Sequence, residues 1–257
     1  MVPYTLQRGT APILISLPHD GTELPEGVAA RLTPEALALP DTDWHVSRLY
    51  AFATELGASL IKPRYSRYLI DLNRPPDDAS LYPGQNTTGL CPTLRFDGGE
   101  VYLPGQRPGI DEIQARLTYY WRPYHDAMRE ELERLRTEHG RVVIWDGHSI
   151  RGTCPFLFEG PLPDFNLGTS AGASCRPELQ QALETVLGAQ DAFTHVTNGR
   201  FKGGYITRHY GSPNEHIDAV QLELAQRNYM DEDSYAYDEL KAARVQTVVR
   251  RMLQACL

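Results

Sequence analysis

The sequence predicts an α/β fold, with a mainly parallel mixed sheet and helices on both faces. Short apolar segments rich in Val, Ile and Leu alternate along the chain with longer segments of helical periodicity, an order typical of parallel sheets. The length of 257 residues fits one large domain. We see no internal repeat or low-complexity linker, and we therefore expect residues 1–257 to form a single domain.

The first half of the chain contains two predicted strands, one helix and a long loop. Pro12–Leu17 has the length and branching of a buried strand. From Asp43 onward apolar residues follow helical spacing, and Gly57 is predicted to end that helix. Tyr68–Leu72 is predicted to be a second strand. The Pro- and Gly-rich segment Pro75–Pro108 predicts a long loop, and ordered loops of this length are often functional.

The second half alternates helices and strands more regularly. A long amphipathic helix is predicted over Asp111–His139, with a kink at Pro123 because proline lacks the amide hydrogen that a helix needs. The remaining predicted elements are the strand Arg141–Trp145, the helix Arg176–Leu187, the strand Ala219–Leu224 and the closing helix Asp238–Leu253.

Composition argues against several classes of protein. The net charge is −8 and no run of lysines or arginines is present, whereas nucleic-acid grooves normally need a basic stripe. No stretch approaches the ~20 apolar residues of a membrane span. The N-terminal residues lack the layout of a signal peptide, and the four cysteines are scattered without a CxxC pair. We expect a cytoplasmic protein that binds neither nucleic acid nor membrane.

Three polar residues lie at or near predicted strand ends, where ligands bind in folds of this class. They are His19, His148 and Glu223. Each also has an ordinary interpretation, since a histidine after a strand is more often a hydrogen-bonded loop residue than a ligand. Glu223 is costly to bury between Leu222 and Leu224, unless the face that it shares with Gln221 is solvated.

Asp41 and Asp43 precede the first predicted helix, where aspartate is a favoured N-cap. One of them could cap the helix while the other binds a metal. Two histidines and a carboxylate with an open fourth position form a known catalytic zinc arrangement, although iron or cobalt also suits these ligands.

Arginines are the natural partners for an acidic substrate in a chain of this charge. Arg67 and Arg74 flank the predicted Tyr68–Leu72 strand, and Arg74 follows Asn73, so that a bidentate grip on a carboxylate is available. Arg208 lies in a glycine-containing segment that permits close approach to a ligand. The alternative for Arg67 and Arg74 is an ordinary ion pair with Asp71, Asp77 or Asp78.

Seven segments in order resemble the N-formylglutamate amidohydrolases over nearly the whole chain. They are Ser16–Thr22, Asp41–Tyr50, Ser66–Pro75, Tyr82-Pro83-Gly84 with Thr87–Pro92, Asp146–Ser149, Asp164–Thr169, and Gln221–Arg227 running on to Tyr229–Glu232.

The resemblance implies a fold related to zinc carboxypeptidases and aspartoacylases. In those relatives two histidines and a carboxylate hold zinc, an Asn-Arg pair binds a substrate carboxylate, and a late strand glutamate acts as base. His19, His148, Asn73-Arg74 and Glu223 occupy the matching places. The relatives have a glutamate three residues after the first histidine, where this chain has Thr22. We therefore expect Asp43 to be the third metal ligand, with Asp41 as second choice.

The implied reaction is the metal-dependent hydrolysis of N-formyl-L-glutamate to formate and L-glutamate, the last step of histidine degradation. One divalent ion, Zn²⁺ by preference, would activate water. Glu223 would act as base and Arg67 would stabilise the oxyanion. Asn73 and Arg74, helped by Arg208, would hold the two carboxylates of a small acidic N-formyl amino acid.

Three other functions are also compatible with the sequence. One is a cysteine amidase with Cys154 as nucleophile and His148 as base. Another is a non-catalytic binder of acidic amino acids. The third is a deacylase of a different N-acyl amino acid, because pocket shape sets the size of the acyl group. Oligomeric state is not indicated by the sequence.

Overall fold

The computed structural model describes residues 2–81 and 84–257 of the chain. In that part of the chain the strands are β1 (Tyr4–Gln7), β2 (Ile13–Ser16), β3 (Ser59–Pro63), β4 (Val142–Ile150), β5 (Phe165–Gly168), β6 (His195–Thr197) and β7 (Ile217–Ala225). They form one sheet in the order β1-β3-β2-β4-β7-β5-β6. Strands β3, β2, β4 and β7 are parallel neighbours, as are β5 and β6. Strand β1 runs antiparallel to β3, and β5 runs antiparallel to β7. The predicted mainly parallel mixed sheet is confirmed.

The helices vary widely in length. They are α1 (Glu26–Ala29), α2 (Pro34–Leu37), α3 (Val46–Leu49), α4 (Ile110–Arg116), α5 (Arg122–His139), α6 (Pro177–Gly188), α7 (Tyr205–Tyr210) and α8 (Glu239–Gln254). Short 3₁₀ segments occur at Ala51–Leu56, Ser170–Gly172, Pro213–Glu215 and Gln226–Asn228. No helix in the described ranges has the length and apolar character needed to cross a membrane.

Helices cover both faces of the sheet, as the side chains of β4 demonstrate. Val143 and Trp145 belong to one apolar core, which includes side chains of α6 and α8. Val142 and Ile144 belong to a second core, which includes the apolar face of α5. Because successive strand residues point to opposite faces, this alternation means that the central strands are buried on both sides.

The predicted strand Tyr68–Leu72 is wrong. The segment is buried but irregular, and the strand of this region is β3, which the sequence analysis missed. Local polar bonds explain the difference: Arg67 pairs with the Asp71 carboxylate four residues later, and Asp71 Oδ1 accepts from the amide of Asn73. Side-chain bonds of this kind give the backbone an alternative to a strand ladder.

The long helix predicted over residues 111–139 is present but changes its winding part-way. Helix α4 passes through a π-helical turn, Leu117–Trp121, into α5. Pro123 lies at the start of α5, so its missing amide hydrogen is accommodated by that wider turn. The helix predicted from Asp43 is divided into α3 and the 3₁₀ segment Ala51–Leu56, and Gly57 ends it with a φ of +76°.

The predicted Arg141–Trp145 strand is longer than expected. Strand β4 continues to Ile150, so His148 lies within the strand and not after it. The Pro75–Pro108 segment contains no helix or extended strand among its described residues, as predicted, while Tyr82 and Pro83 lie outside the described residues. The strands β1, β5 and β6 were not predicted because each has only three or four residues, too few for a periodic pattern.

Burial of His125 in α5 leads to a prediction about stability. Its Nε2 contacts the carbonyl oxygen of Leu72 and its Nδ1 contacts the hydroxyl of Tyr210, each at 2.9 Å. Burial lowers the pKa of His125 to about 3. Between that value and about 6.5, the ordinary histidine pKa, the unfolded chain binds a proton that the folded chain does not, so stability falls as the pH falls.

Acidification from pH 7 to pH 5 should lower the free energy of unfolding by about 2 kcal/mol through His125 alone. Denaturant unfolding of the wild type and of His125→Gln at both pH values measures it. The variant should be less stable at pH 7 but should lose less stability on acidification. Parallel losses in the two proteins would contradict the assignment.

Candidate metal centre and active-site cleft

A cleft opens at the carboxyl ends of the central parallel strands. It contains about 600 Å³ of empty space. Residues from β4 and β7 line it together with His19, which follows β2, and with residues of four loops. The lining residues are His19, Asp43, Arg67, Asn73, Arg74, Asn86, Thr87, Thr88, Phe96, His148, Ser149, Ile150, Leu157, Arg200, Phe201, Gly204, Gln221 and Glu223. This is the position at which the fold class predicts a ligand.

Three potential metal-ligating side chains meet at the base of the cleft. The Nδ1 atoms of His19 and His148 are 3.1 Å apart, and the Asp43 Oδ2 atom lies 3.1 Å from His148 Nδ1 and 3.7 Å from His19 Nδ1. All three side chains are buried. A point equidistant from these three atoms lies about 1.9 Å from each in their plane, close to the ~2.0–2.2 Å of zinc–nitrogen and zinc–oxygen bonds.

Neighbouring carboxylates orient both imidazoles. His19 Nε2 lies 2.7 Å from Asp71 Oδ1, and His148 Nε2 lies 3.1 Å from Asp146 Oδ1. Asn73 Nδ2 donates to the other oxygen of Asp146 and also lies 2.8 Å from His148 Nε2, while Asp146 Oδ1 has no hydrogen-bond partner among the described residues. The Asp71 carboxylate therefore accepts a hydrogen bond from His19 when that imidazole carries its proton on Nε2, and Asp146 places a negative charge beside His148.

With the His19 proton on Nε2, the Nδ1 lone pair of His19 faces His148 Nδ1 and the Asp43 carboxylate oxygen. Two ring nitrogens and a carboxylate oxygen at these distances can hold a cation, and carboxylate–histidine pairs such as Asp71–His19 commonly support metal ligands. The residues present thus fit a divalent metal. The surrounding negative charges favour a cation at this position. Although burial opposes a charged imidazole, Asp146 and Asp43 raise the pKa of His148 well above its ordinary value.

Asp43, and not Asp41, belongs to this cluster. Its Oδ2 accepts from the backbone amide of Ser149, and its own amide donates to the His19 carbonyl, which fixes the turn before α3. Asp41 instead accepts from the amide of Phe96. Neither aspartate caps α3, since the residue at the cap position is His45.

Glu223 lies in β7 directly beside His148 of β4 in the parallel register. Its face is not solvated: the residue is 7% exposed and lines the cleft together with Gln221. Burial raises the pKa of the Glu223 carboxyl to about 8. A carboxyl group with a pKa near neutrality can both accept and return a proton, which is what general acid–base chemistry needs.

Of the predicted arginines, Arg67 and Arg74 line the cleft and Arg208 is not among the described lining residues. Arg67 pairs with Asp71 and lies over the Phe96 ring, and its Nε has no hydrogen-bond partner among the described residues. Arg74 donates to both oxygens of Thr88. The Nε of Arg208 in α7 donates to the Gly203 carbonyl.

Sequence reasoning missed Arg200, which also lines the cleft. It follows the short strand β6, which was itself not predicted, and no neighbouring motif marked it. Cys154 is not one of the lining residues in the described ranges. Its thiol packs with Ile150 and Leu162, and burial raises its pKa to about 12, which does not favour a nucleophilic thiolate.

The family model for N-formylglutamate amidohydrolase matches residues 11–230. The chain belongs to the N-formylglutamate amidohydrolase family. It is 53% identical to the N-formylglutamate deformylase of Pseudomonas aeruginosa over 254 residues, with 98% of this chain and 95% of that protein covered. It is 51% identical to the N-formylglutamate deformylase of Pseudomonas putida over the same coverage. The predicted family and amidohydrolase activity are confirmed.

Solved structures agree with the fold. The crystal structure of N-formylglutamate amidohydrolase from Ralstonia eutropha is 26% identical, with a TM-score of 0.84 and coverage of 99% of this chain and 97% of that one. A protein from Agrobacterium tumefaciens shares the fold with a TM-score of 0.76 at 18% identity, covering 98% and 94% of the two chains. The residues matched by the family model extend from before His19 to beyond Glu223, so the amidohydrolase family match spans the whole cleft.

Proposed function

We propose that this protein is a metal-dependent deformylase that hydrolyses N-formyl-L-glutamate to formate and L-glutamate. The observation that carries the proposal is one cleft in which His19, Asp43 and His148 converge beside the buried carboxyl of Glu223. The names of the two Pseudomonas relatives support the choice of substrate.

His19, Asp43 and His148 are the residues that would hold the metal, with Zn²⁺ as the preferred ion. When bound, a divalent metal supplies Lewis-acid polarisation of the formyl oxygen and makes water easier to deprotonate. Asp71 keeps the His19 imidazole in the tautomer that presents Nδ1 to this position, and the Asp146 carboxylate lies beside His148 Nε2.

Glu223 accepts the proton of the attacking water and delivers it to the departing amine of glutamate. Its buried position and its raised pKa support both halves of this transfer. Arg67 stabilises the negative charge that develops on the formyl oxygen, a role supported by its buried Nε without a hydrogen-bond partner among the described residues. The Asp71 carboxylate fixes the Arg67 guanidinium, so it needs no reorganisation during the reaction.

Arg74 binds a carboxylate of the substrate. It lines the cleft and directly follows Asn73 in the chain. The Asn73 side chain donates to Asp146 beside the metal cluster and accepts from the amide of Ile206 in α7, which fixes the backbone at Arg74. Arg208 would assist only after a rearrangement of α7.

We also propose that residues 1–257 act as one catalytic domain, in the cytoplasm and at the end of histidine degradation. The similarity of the ligand types to those of zinc carboxypeptidases and aspartoacylases supports a relationship with those enzymes, in which Asp43 takes the place of their glutamate ligand.

The function is tested by incubating purified, zinc-loaded protein with N-formyl-L-glutamate and with N-acetyl-L-glutamate. Formate and L-glutamate should appear in equal amounts from the first substrate, with little hydrolysis of the second. Faster release of acetate than of formate would make the protein a deacylase of larger acyl groups. A lack of hydrolysis of both substrates would overturn the proposal.

Arg74→Lys should not restore the function that Arg74→Ala loses. A guanidinium grips a carboxylate through two parallel hydrogen bonds, whereas an ammonium group acts as a point charge. Loss of this contact should cost about 2–4 kcal/mol in transition-state stabilisation. Measured kcat/KM values for N-formyl-L-glutamate test this expectation, with Arg107→Gln, an exposed arginine paired with Glu100, as control. Near-normal kcat/KM in Arg74→Lys would contradict it.

A further inference from the structure

Besides Arg67 and Arg74, a third arginine, Arg200, lines the cleft. Arg200 is half-buried and lines the same cleft as the metal cluster. Among the described lining residues the carboxylates are Asp43 and Glu223, and both belong to the proposed reaction centre. Arg200 contacts Leu157, Asn86 and the Phe201 ring in a different part of the lining. A guanidinium that lines a cleft can bind an anionic group of a ligand through charge-assisted hydrogen bonds.

Arg200 holds together three loops that form one wall of the cleft. Its Nε donates to the carbonyl of Leu157 at 3.1 Å, and one terminal nitrogen donates to the carbonyl of Asn86 at 3.2 Å. The side chain of Asn86 in turn donates to the carbonyl of Phe156 at 2.8 Å. These contacts orient the guanidinium, so part of the entropic cost of binding a carboxylate is met before the substrate arrives.

The loop that contains Arg200 is fixed at both ends. Asn198 accepts from the amides of Thr169 and Ala171 and donates to Thr169 Oγ1. On the other side, the Lys202 carbonyl accepts from the Ser170 amide, and the Gly204 amide donates to Gln221 Oε1. A charged group on a segment with this many anchors is suited to positional recognition.

Arg74 and Arg200 are connected to different parts of the cleft. Arg74 directly follows Asn73, whose amide contacts Asp146 and His148 at the base of the cleft. Arg200 is tied instead to the loops of Asn86 and Leu157. In N-formylglutamate the α-carboxylate is one carbon from the amide nitrogen, and the side-chain carboxylate is two methylene groups further away.

We propose that Arg200 binds the side-chain carboxylate of the substrate, while Arg74 binds the α-carboxylate. The two methylene groups then pass along the apolar part of the wall, at Leu157 and Phe201. Arg200 is thus the residue that makes the enzyme specific for a glutamate side chain. This inference rests on the proposed deformylase function.

The experiment compares N-formyl-L-glutamate with N-formyl-L-glutamine, which has the same shape but a neutral side-chain end. The wild type should prefer the glutamate substrate. In Arg200→Gln the ratio of the two kcat/KM values should fall by about 10–100-fold, mainly through loss of activity on the glutamate substrate. In Arg74→Gln both substrates should lose activity together and the ratio should stay close to that of the wild type. Arg107→Gln is the matched control.

A second variant leaves Arg200 and its backbone contacts in place. Thr87→Glu adds a carboxylate to the cleft wall next to Asn86, and this carboxylate should compete for Arg200 and repel the substrate side chain. It should also lower the glutamate-to-glutamine ratio. Circular dichroism and thermal melting establish whether each variant is folded. If Arg200→Gln does not fold, the glutamate-to-glutamine ratio of Thr87→Glu tests the inference.

Different failures have different meanings. If the wild type hydrolyses both substrates equally well, the side-chain carboxylate is not bound and the inference is wrong, while the deformylase function stands. If folded Arg200→Gln loses activity on both substrates equally, Arg200 only supports the loops and the inference is also wrong. If the wild type releases no formate from either substrate, the proposed function itself fails.

Discussion

Glu223→Gln is expected to lower turnover by at least about 10²–10⁴-fold, the usual contribution of general acid–base catalysis. Glutamine keeps the shape of the side chain but cannot accept a proton from water. Glu223 lies outside the His19–Asp43–His148 cluster, so the metal content should not change. Substrate affinity should change little, because the arginines that bind carboxylates are untouched. The measurements are kcat and KM for N-formyl-L-glutamate and elemental analysis of the purified variant.

Glu215→Gln is a suitable control, since Glu215 is an exposed carboxylate just before β7. It should leave both kcat and metal content unchanged. Near-normal turnover in Glu223→Gln would refute the role of Glu223 as base. Loss of the metal in that variant would make Glu223 a ligand, and the part assigned to Asp43 would need revision.

The sequence predicted which residues meet in the cleft better than it predicted the secondary structure around them. His19, His148 and Glu223 were placed together because parallel strands deliver their carboxyl ends to one edge of the sheet. This holds even though β4 ends five residues later than predicted and contains His148. That Asp43 lies beside the two histidines follows from a turn anchored on the His19 carbonyl and the Ser149 amide. Such a contact joins distant parts of the chain, so spacing alone left Asp41 and Asp43 as alternatives.

Other features depended on long-range contacts that no local pattern encodes. The apolar residues of Tyr68–Leu72 favoured a strand, but the contacts of Asp71 with His19 and Arg67 hold that segment in turns. Arg200 reaches the cleft from a loop after a three-residue strand and is oriented by the carbonyls of Asn86 and Leu157. A single arginine between glycine and phenylalanine gives no sequence signal of that position.

His19→Ala and His148→Ala are each expected to abolish stoichiometric metal binding. Each histidine supplies one of three donor atoms that lie within 4.8 Å of one another. Loss of a donor should weaken metal affinity by more than the ~10–100-fold typical of losing a hydrogen-bond partner of a ligand. Elemental analysis after dialysis against zinc measures the metal content, and His139→Ala, at an exposed histidine near the end of α5, is the control. Full metal occupancy in either cluster variant would remove that histidine from the site.

Thermal melting gives an independent readout that does not depend on activity. An ion that binds the folded chain stabilises it by about 2.7 kcal/mol at a free concentration 100 times its Kd, so zinc should raise the melting temperature of the wild type. Asp43→Asn should lose this response because an amide is a poorer ligand than a carboxylate, while Asp41→Asn should keep it because Asp41 contacts Phe96 and not the histidines. The reverse pattern would assign the third ligand to Asp41. The two histidine variants and the two aspartate variants could also all be stabilised by zinc as much as the wild type. That result would place the metal elsewhere, since the buried side chains of the cluster would then have no part in holding it.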